Sequence, residues 1–167
     1  CRLGQLGAEV DILGVVGRDE NGRVVLEALQ SNNVGLEKVI IRDDIRTGVT
    51  VSLTYTNDKA LITFMGSIGA LNPSDVKPEF FQDYDHVHIS SIYFQPKLLG
   101  SIPRIFKEAK RRGLTTSLDT QDDPSGKYEK IWEILEYTDI FLPNDREARG
   151  IAKSTSLNEA LKKIGSK

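Results

Sequence analysis

From Asp85 onward strand-like and helix-like patterns alternate, and that alternation restricts the fold more than any other feature of the chain. His86-Val87-His88-Ile89-Ser90 reads as a strand, 97–112 as a helix closed by Gly113, 115–119 as a strand and 128–136 as a helix. Residues 139–142 are again strand-like, and 145–152 and 157–164 are helical. Such a succession argues for a parallel sheet flanked by helices. The strand ends at Ser90-Ser91, Asp119 and Leu142 then share one rim, and open α/β sheets bind ligands at that rim.

The first half is organised differently. Val10–Val16 is β-branched and apolar, Gly17–Gly22 is a turn, and Val24, Val25, Leu26 and Leu29 form a helical stripe with Asp19 or Asn21 as cap. Val39–Ile41 is a short strand. In Gly48–Tyr55 the side chains Val49, Val51, Leu53 and Tyr55 point one way and Thr50, Ser52 and Thr54 the other. Asn57-Asp58 is a hairpin turn and Ala60–Phe64 the returning strand. Residues 39–64 therefore read as a small antiparallel insertion. It is too small to hold a core alone, so its apolar face must rest on the main domain or on a second copy. Residues 1–38 and 65–167 make the α/β core, with 66–73 a flexible return connection and short helical turns at 74–76 and 78–81.

A chain of 167 residues is long enough for one sizeable core with an appendage. Its formal net charge of −2 is spread in both signs, which announces no nucleic-acid surface. The single cysteine, Cys1, suits a reducing, cytoplasmic setting, and no apolar run nears the roughly 20 residues of a membrane span. Both ends read as cut. Cys1–Gly7 looks like the last turn of a helix whose start is missing, and the final helical pattern has no strand after it.

The candidate chemistry lies on the rim. Asn144 and Glu147 stand at a helix N-terminus, which favours an anion such as phosphate; a carboxylate there holds Mg²⁺ through water. The same spacing is also that of an N-cap with its capping-box partner. Asp119 opens a carboxylate-rich loop, Thr120-Gln121-Asp122-Asp123, which reads as a substrate or metal site or as a solvated loop. Lys127 reads as a phosphate contact or as an exposed lysine. His86 and His88 lack a third ligand type and read as packing or hydrogen-bonding residues. No nucleophile elbow, P-loop or G-x-G-x-x-G occurs.

Five stretches, in order, resemble the ribokinase-like (PfkB) carbohydrate kinases. Arg2–Ala8 is similar to the helix end of "A-x-x-L-x-x-L-G", Val16–Gly22 to "vGxDxxG", and Asn33–Leu36 to "gVd". Thr47-Gly48-Val49 resembles the "TG" opening a lid strand. Asp139-Ile140-Phe141-Leu142-Pro143-Asn144-Asp145-Arg146-Glu147 matches "D-hydrophobic-x-x-x-N-x-x-E". The resemblance implies a Rossmann-like three-layer α/β/α fold with an antiparallel β lid, here truncated at both ends. It implies transfer of the γ-phosphoryl group of ATP, with Mg²⁺, to a hydroxyl of a sugar of the fructose or ribose class, or of a nucleoside.

By position, the resemblance gives phosphate and Mg²⁺ placement to Asn144, Glu147 (through water) and Lys127. It gives substrate contact to Ser91, Tyr93, Asp119, Thr50 and Ser52. The Asn and Arg that follow the family's strand-end Asp are absent after Asp119. Pairing of lid faces implies a homodimer through Val51, Leu53 and Tyr55. The family's catalytic base and "G-A-G-D" anion hole are expected beyond Lys167, so the fragment alone is expected to be inactive. The alternative is a non-catalytic sugar-binding or lid-mediated oligomerisation module.

Overall fold

Gly7 sits at φ +88° one residue past the C-cap of α1 (Arg2–Gln5), a backbone that L side chains rarely adopt. Its N–H bonds Gly4 C=O and the Ala8 N–H reaches Leu3 C=O, the Schellman closure expected of a helix end. The computed structural model describes residues 1–56 and 59–166. They form two compact units, Cys1–Leu71 and Asn72–Lys167.

In the first unit the apolar run 10–16 is divided. β1 (Val10–Asp11) pairs in parallel with β3 (Val34–Gly35), and β2 (Gly14–Gly17) pairs in parallel with β4 (Val39–Arg42). Between them α2 (Glu20–Gln30) is capped by Asp19, whose side chain accepts the Gly22 N–H. The buried side of α2 is Gly22 and Leu29, with Leu26 half-buried, a spacing of four and three residues. Val24 and Val25, expected in the stripe, are exposed because they fall off that line.

Antiparallel pairing was expected from residue 39 but begins at Val49. Residues 39–42 extend the parallel ladder instead, because their β-branched side chains suit either kind of ladder and periodicity cannot tell them apart. The antiparallel hairpin is β5 (Val49–Thr54) against β6 (Lys59–Phe64), in register Val49↔Phe64 through Thr54↔Lys59. Val49, Val51 and Leu53 share a face with Phe64, Ile62 and Ala60, and Thr50 faces Thr63, as the period-two reading requires. The expected turn at Asn57-Asp58 lies outside the described residues. The return connection is more ordered in form than expected, since Gly66–Gly69 is a 3₁₀ turn with Ser67 buried; the expected short turns follow at Pro73–Asp75 and Pro78–Phe81.

The second unit holds a parallel sheet of β7 (His86–Ser90), β8 (Thr115–Asp119) and β9 (Ile140–Phe141), ordered β7-β8-β9. The helix expected over 97–112 is two, α3 (Pro96–Leu99) and α4 (Ile102–Arg111). Pro103 explains the break, since it offers no N–H to Leu99 and its ring would crowd that carbonyl. The helix expected over 128–136 shrinks to α5 (Ile131–Leu135), because Tyr128 and Lys130 hold left-handed backbones at φ 50° and 65°. α6 (Asp145–Ala152) and α7 (Leu157–Gly165) follow.

The core of this unit sits between the sheet and α4 and α5. Ile102, Phe106, Leu118 and Ile134 are wholly buried there. Truncating one such aromatic, as in Phe106→Ala, costs ~3–5 kcal/mol through lost transfer energy and the cavity left behind. Ala148 and Ala152 of α6 pack with Ala160 of α7, small side chains that let the two helices approach closely. On the opposite face of the sheet His86, His88, Ser90, Thr115 and Ile140 are exposed, whereas Ser117 among them is buried.

Candidate functional site

The rim forms where β7, β8 and β9 end. Past the last paired residues, Ser90 and Asp119, the Ser91 N–H still donates to Asp119 C=O at 2.9 Å, with Ser91 in a left-handed turn at φ 56°. That turn ends the strand and sends the chain away over Tyr93. The Asp119 carboxylate accepts the Gln121 N–H at 3.0 Å, which turns the β8 end into the acidic loop. Ser91 and Asp119 are thus neighbours on the rim.

Asn144 and Glu147 form a reciprocal capping box at the start of α6. Asn144 Oδ1 accepts the Glu147 N–H at 2.9 Å; Glu147 Oε2 accepts the Asn144 N–H at 3.0 Å and Oε1 accepts from Asn144 Nδ2 at 2.7 Å. Asn144 is exposed, whereas Glu147 is only 4% exposed. Thr120, also buried, donates its hydroxyl to Glu147 Oε2 at 3.2 Å. The box is therefore bonded directly to the residue following Asp119. Sequence reasoning treated Thr120 only as part of a loop; a hydroxyl next to a strand-end carboxylate was the available signal.

Lys127 goes elsewhere. Its side chain is 70% exposed and its ammonium lies 3.9 Å from Glu129, not on the Asn144–Glu147 box. The loop that carries it is pinned by Asp123, which accepts from the Ser125 and Tyr128 N–H groups at 2.8 and 2.7 Å. Burial raises the Asp123 pKa, but those bonds prevail and hold it below the ordinary carboxylate value. Tyr128 lies against Gly150 of α6 and donates to Asp122 at 3.2 Å; burial first, then that bond, pushes its phenol up to about 12. Tyr93 stacks edge-on against Tyr128, ring centroids 5.7 Å apart, and donates to Glu129 C=O at 3.4 Å. Burial raises its phenol far above the usual range, so it acts as a neutral donor.

Asp139, first residue of the matching motif, holds strands together. Its Oδ2 accepts the buried Thr116 N–H at 2.9 Å and the Thr116 hydroxyl at 3.1 Å, and its Oδ1 pairs with Lys110. The histidines do as expected. His86 bonds Thr115 Oγ1 and Ser117 Oγ, and His88 bonds Ser117 Oγ, each at 2.7 Å. Among the described residues no group of three His, Cys, Asp or Glu side chains is placed to hold a metal ion.

Thr50 and Ser52 lie in the first unit, on the hairpin. Thr50 Oγ1 is 3.0 Å from Thr63 Oγ1 and Ser52 Oγ 3.4 Å from Thr54 Oγ1, hydroxyls on one face of which Thr50, Ser52 and Thr54 are exposed and Thr63 half-buried. A second polar knot lies at the hairpin's base. Asp19 accepts from the Thr47 hydroxyl at 2.7 Å and from the Thr47 N–H at 2.9 Å, besides capping α2. The Thr47 Oγ1 in turn accepts the Gly17 N–H at 2.8 Å. Two of the five matching stretches meet at this point.

Parallel strands ending in a rim of Ser91, Asp119 and a boxed carboxylate, together with an antiparallel hairpin, define an α/β chain of ribokinase-like architecture. The chain belongs to the pfkB family of carbohydrate kinases, which it matches over residues 1–167. It is 32% identical over 146 residues to an ATP-dependent ribose-1-phosphate kinase of Halopiger xanaduensis, covering 84% of this chain and 46% of that protein. It is 28% identical over 148 residues to an uncharacterized sugar kinase of Archaeoglobus fulgidus, covering 87% and 58%. A crystal structure of a putative ribokinase II of E. coli in complex with ATP and Mg²⁺ superposes with TM-score 0.83 at 20% identity, over 98% of this chain and 55% of that one. The chain spans about half the length of the relatives it matches.

Proposed function

We propose that the chain serves ATP- and Mg²⁺-dependent phosphorylation of a sugar hydroxyl, in the fructose or ribose class, or of a nucleoside hydroxyl. The observation that carries this is the family match across the whole chain, with its Asn144–Glu147 motif located at a strand-end rim. The named activity of the Halopiger relative and the ligands of the E. coli structure point the same way.

Phosphoryl transfer is mainly positioning and charge stabilisation, so the residues needed are those that orient donor and acceptor. Glu147 fits a contact to Mg²⁺ through water and not direct ligation. Its Oε2 already accepts two hydrogen bonds, Oε1 accepts one and keeps one acceptor direction, and the group is nearly buried. Mg²⁺, which retains its waters, suits such a site. Bound there with phosphates, the ion would neutralise the charge that develops on the transferred group. Asn144 and the α6 N-terminus would face the phosphates. Ser91, Tyr93 and Asp119 on the rim are proposed as acceptor contacts, and so, by the family resemblance, are Thr50 and Ser52. Lys127, drawn toward Glu129, joins only if its exposed side chain turns. A cytoplasmic setting accords with the lone, exposed Cys1 thiol.

The test is ADP release by the purified protein as its gene encodes it, over a panel of pentoses, hexoses, their 1-phosphates and nucleosides, with Mg²⁺. Sugar-dependent release is expected; none across the panel would sink the kinase reading. One observation favours a second reading, a module that binds sugar or self-associates without catalysis: the exposed apolar hairpin face of Val49, Val51, Leu53, Ile62 and Phe64. Light scattering that finds a monomer at high concentration would count against pairing through that face.

A further inference from the structure

Among its described residues the hairpin β5–β6 is held only at its base. Every residue of β5 is exposed, and of the described side chains in β6 only Thr63 is even half-buried. Packing along its length therefore cannot set the direction in which it projects. The direction is decided where the chain enters at Thr47-Gly48 and leaves at Met65-Gly66.

That base is crowded. Thr47 is 4% exposed and Ser67 is 4% exposed, and the Gly48 N–H donates to Ser67 Oγ at 3.4 Å. A Cβ on Gly22 would collide with the Gly17 carbonyl oxygen and come 3.0 Å from Thr47 Oγ1, and a Cβ on Gly17 would collide with the Ile45 carbonyl oxygen and come 2.8 Å from the Thr47 N. Both glycines are thus required by close backbone approach, of α2 to Gly17 and of residues 45–47 to β2, and Thr47 lies within that crowded contact. One carboxylate organises the whole contact: Asp19 takes the Gly22 N–H, the Thr47 N–H and the Thr47 hydroxyl. The bond from the Thr47 hydroxyl comes first among the causes that hold the Asp19 carboxyl below its ordinary value, ahead of those from the Gly22 and Thr47 N–H groups.

We propose that Asp19 and Thr47 form a clasp that sets the angle at which the hairpin leaves the first unit, and so act as positioning residues for Thr50 and Ser52 toward the acceptor. The positioning half of this rests on the kinase reading above; the clasp itself does not. Both partners are needed because two bonds to one carboxylate, through N–H and hydroxyl, fix an orientation that a single bond leaves free to rotate.

The experiment uses the protein as its gene encodes it, with native thiols replaced by Ser and spin labels at Tyr55→Cys on the hairpin and Gln30→Cys on α2. Distances between the labels are compared in the parent, Thr47→Val, Thr47→Ser and Asp19→Asn. Asp19→Asn keeps an oxygen for the cap but sets an amide N–H against the Thr47 N–H. It therefore serves where Thr47→Val fails to fold. The narrow distribution of the parent should be lost in Thr47→Val and Asp19→Asn and kept in Thr47→Ser. KM for the acceptor should rise about tenfold, the factor of one lost hydrogen bond, with KM for ATP unchanged. An unchanged distance distribution in both disruptive variants overturns the clasp. A broadened distribution with acceptor KM unmoved, or with both KM values raised alike, overturns the positioning role. Broadening in a protein that phosphorylates no acceptor even as parent leaves the clasp standing and removes the kinase reading instead.

Discussion

Thr120 and Glu147 are bonded, hydroxyl to Oε2, at 3.2 Å, with both side chains almost wholly buried. This one contact fastens the end of β8 to the first turn of α6. It makes the α6 cap and the strand-end rim a single object, so that whatever disturbs the box also disturbs the neighbourhood of Asp119.

Glu147→Gln separates capping from metal placement. The new amide puts an N–H donor among groups that already donate, at a cost of ~1–3 kcal/mol. Asn144→Ala, which loses one cap, calibrates the scale at ~1 kcal/mol. Thermal unfolding should show both losses. A Mg²⁺ titration of activity should shift to higher concentration in Glu147→Gln; an unmoved titration beside a lowered Tm would confine Glu147 to capping.

Asp139 gives a pH-dependent term of known sign. The Lys110 pair and the bonds from Thr116 hold its pKa below the ordinary value of 3.8. A carboxylate depressed in the folded state contributes stability above its unfolded pKa and loses it as pH falls through the folded value. The stability gap between the native protein and Asp139→Ala should therefore be full at pH 6, at ~1–3 kcal/mol for the orphaned Thr116 N–H. It should narrow as pH falls below 3.8, as read by denaturant unfolding at several pH values. A gap independent of pH would mean the ionised carboxylate is not what holds β9.

His88 should titrate below the ordinary histidine value of 6.5. Desolvation of the ring against its sheet neighbours is the main cause and His86 adds to it, while the Asp119 charge opposes both. A depressed histidine loses stability as pH falls below its unfolded value, the reverse of a histidine with an acidic partner. The tautomers follow from the hydroxyls. Thr115 donates to Asp85 C=O at 3.1 Å, so it accepts from His86 Nδ1–H; His86 Nε2 then accepts from Ser117, which accepts from His88 Nδ1–H. Nitrogen NMR should find both rings protonated at Nδ1 near neutral pH, and a His88 midpoint above 6.5 would contradict the arrangement.

The apolar hairpin face makes its own prediction. Val51 and Ile62 are cross-strand partners, 51% and 62% exposed. Charges at both positions, Val51→Asp with Ile62→Asp, should shift sedimentation toward the monomer while leaving the far-ultraviolet spectrum intact, because neither side chain supports the fold beneath it. A dimer that persists in the double variant would place the interface elsewhere.

Much of the second unit could be read directly. β7, β8, α6 and the box at Asn144–Glu147 occur where periodicity and capping spacing put them, because those signals act within a few residues. The misreadings have separate causes. Pro103 divides a helix whose apolar spacing runs on, and the left-handed backbones of Tyr128 and Lys130 delay α5. Residues 39–42 look like the hairpin's first strand yet join β2, because partner choice is not encoded in a strand's own alternation.

The site divides in the same way. Sequence alone determined which residue types stand at the strand ends and which five stretches match the family, since order and spacing survive without coordinates. Only tertiary structure decided that Thr120 bonds Glu147, that Lys127 turns to Glu129, that Asp139 serves Thr116, and that Asp19 grips Thr47 across 28 residues. A hydrogen bond is directional and short, so which donor reaches a given carboxylate depends on where the folded chain brings it. The Asn144–Glu147 spacing was compatible with either a cap or a ligand contact. The fold makes it a cap, with the Glu147 carboxylate buried, bonded to the rim and left with one acceptor direction.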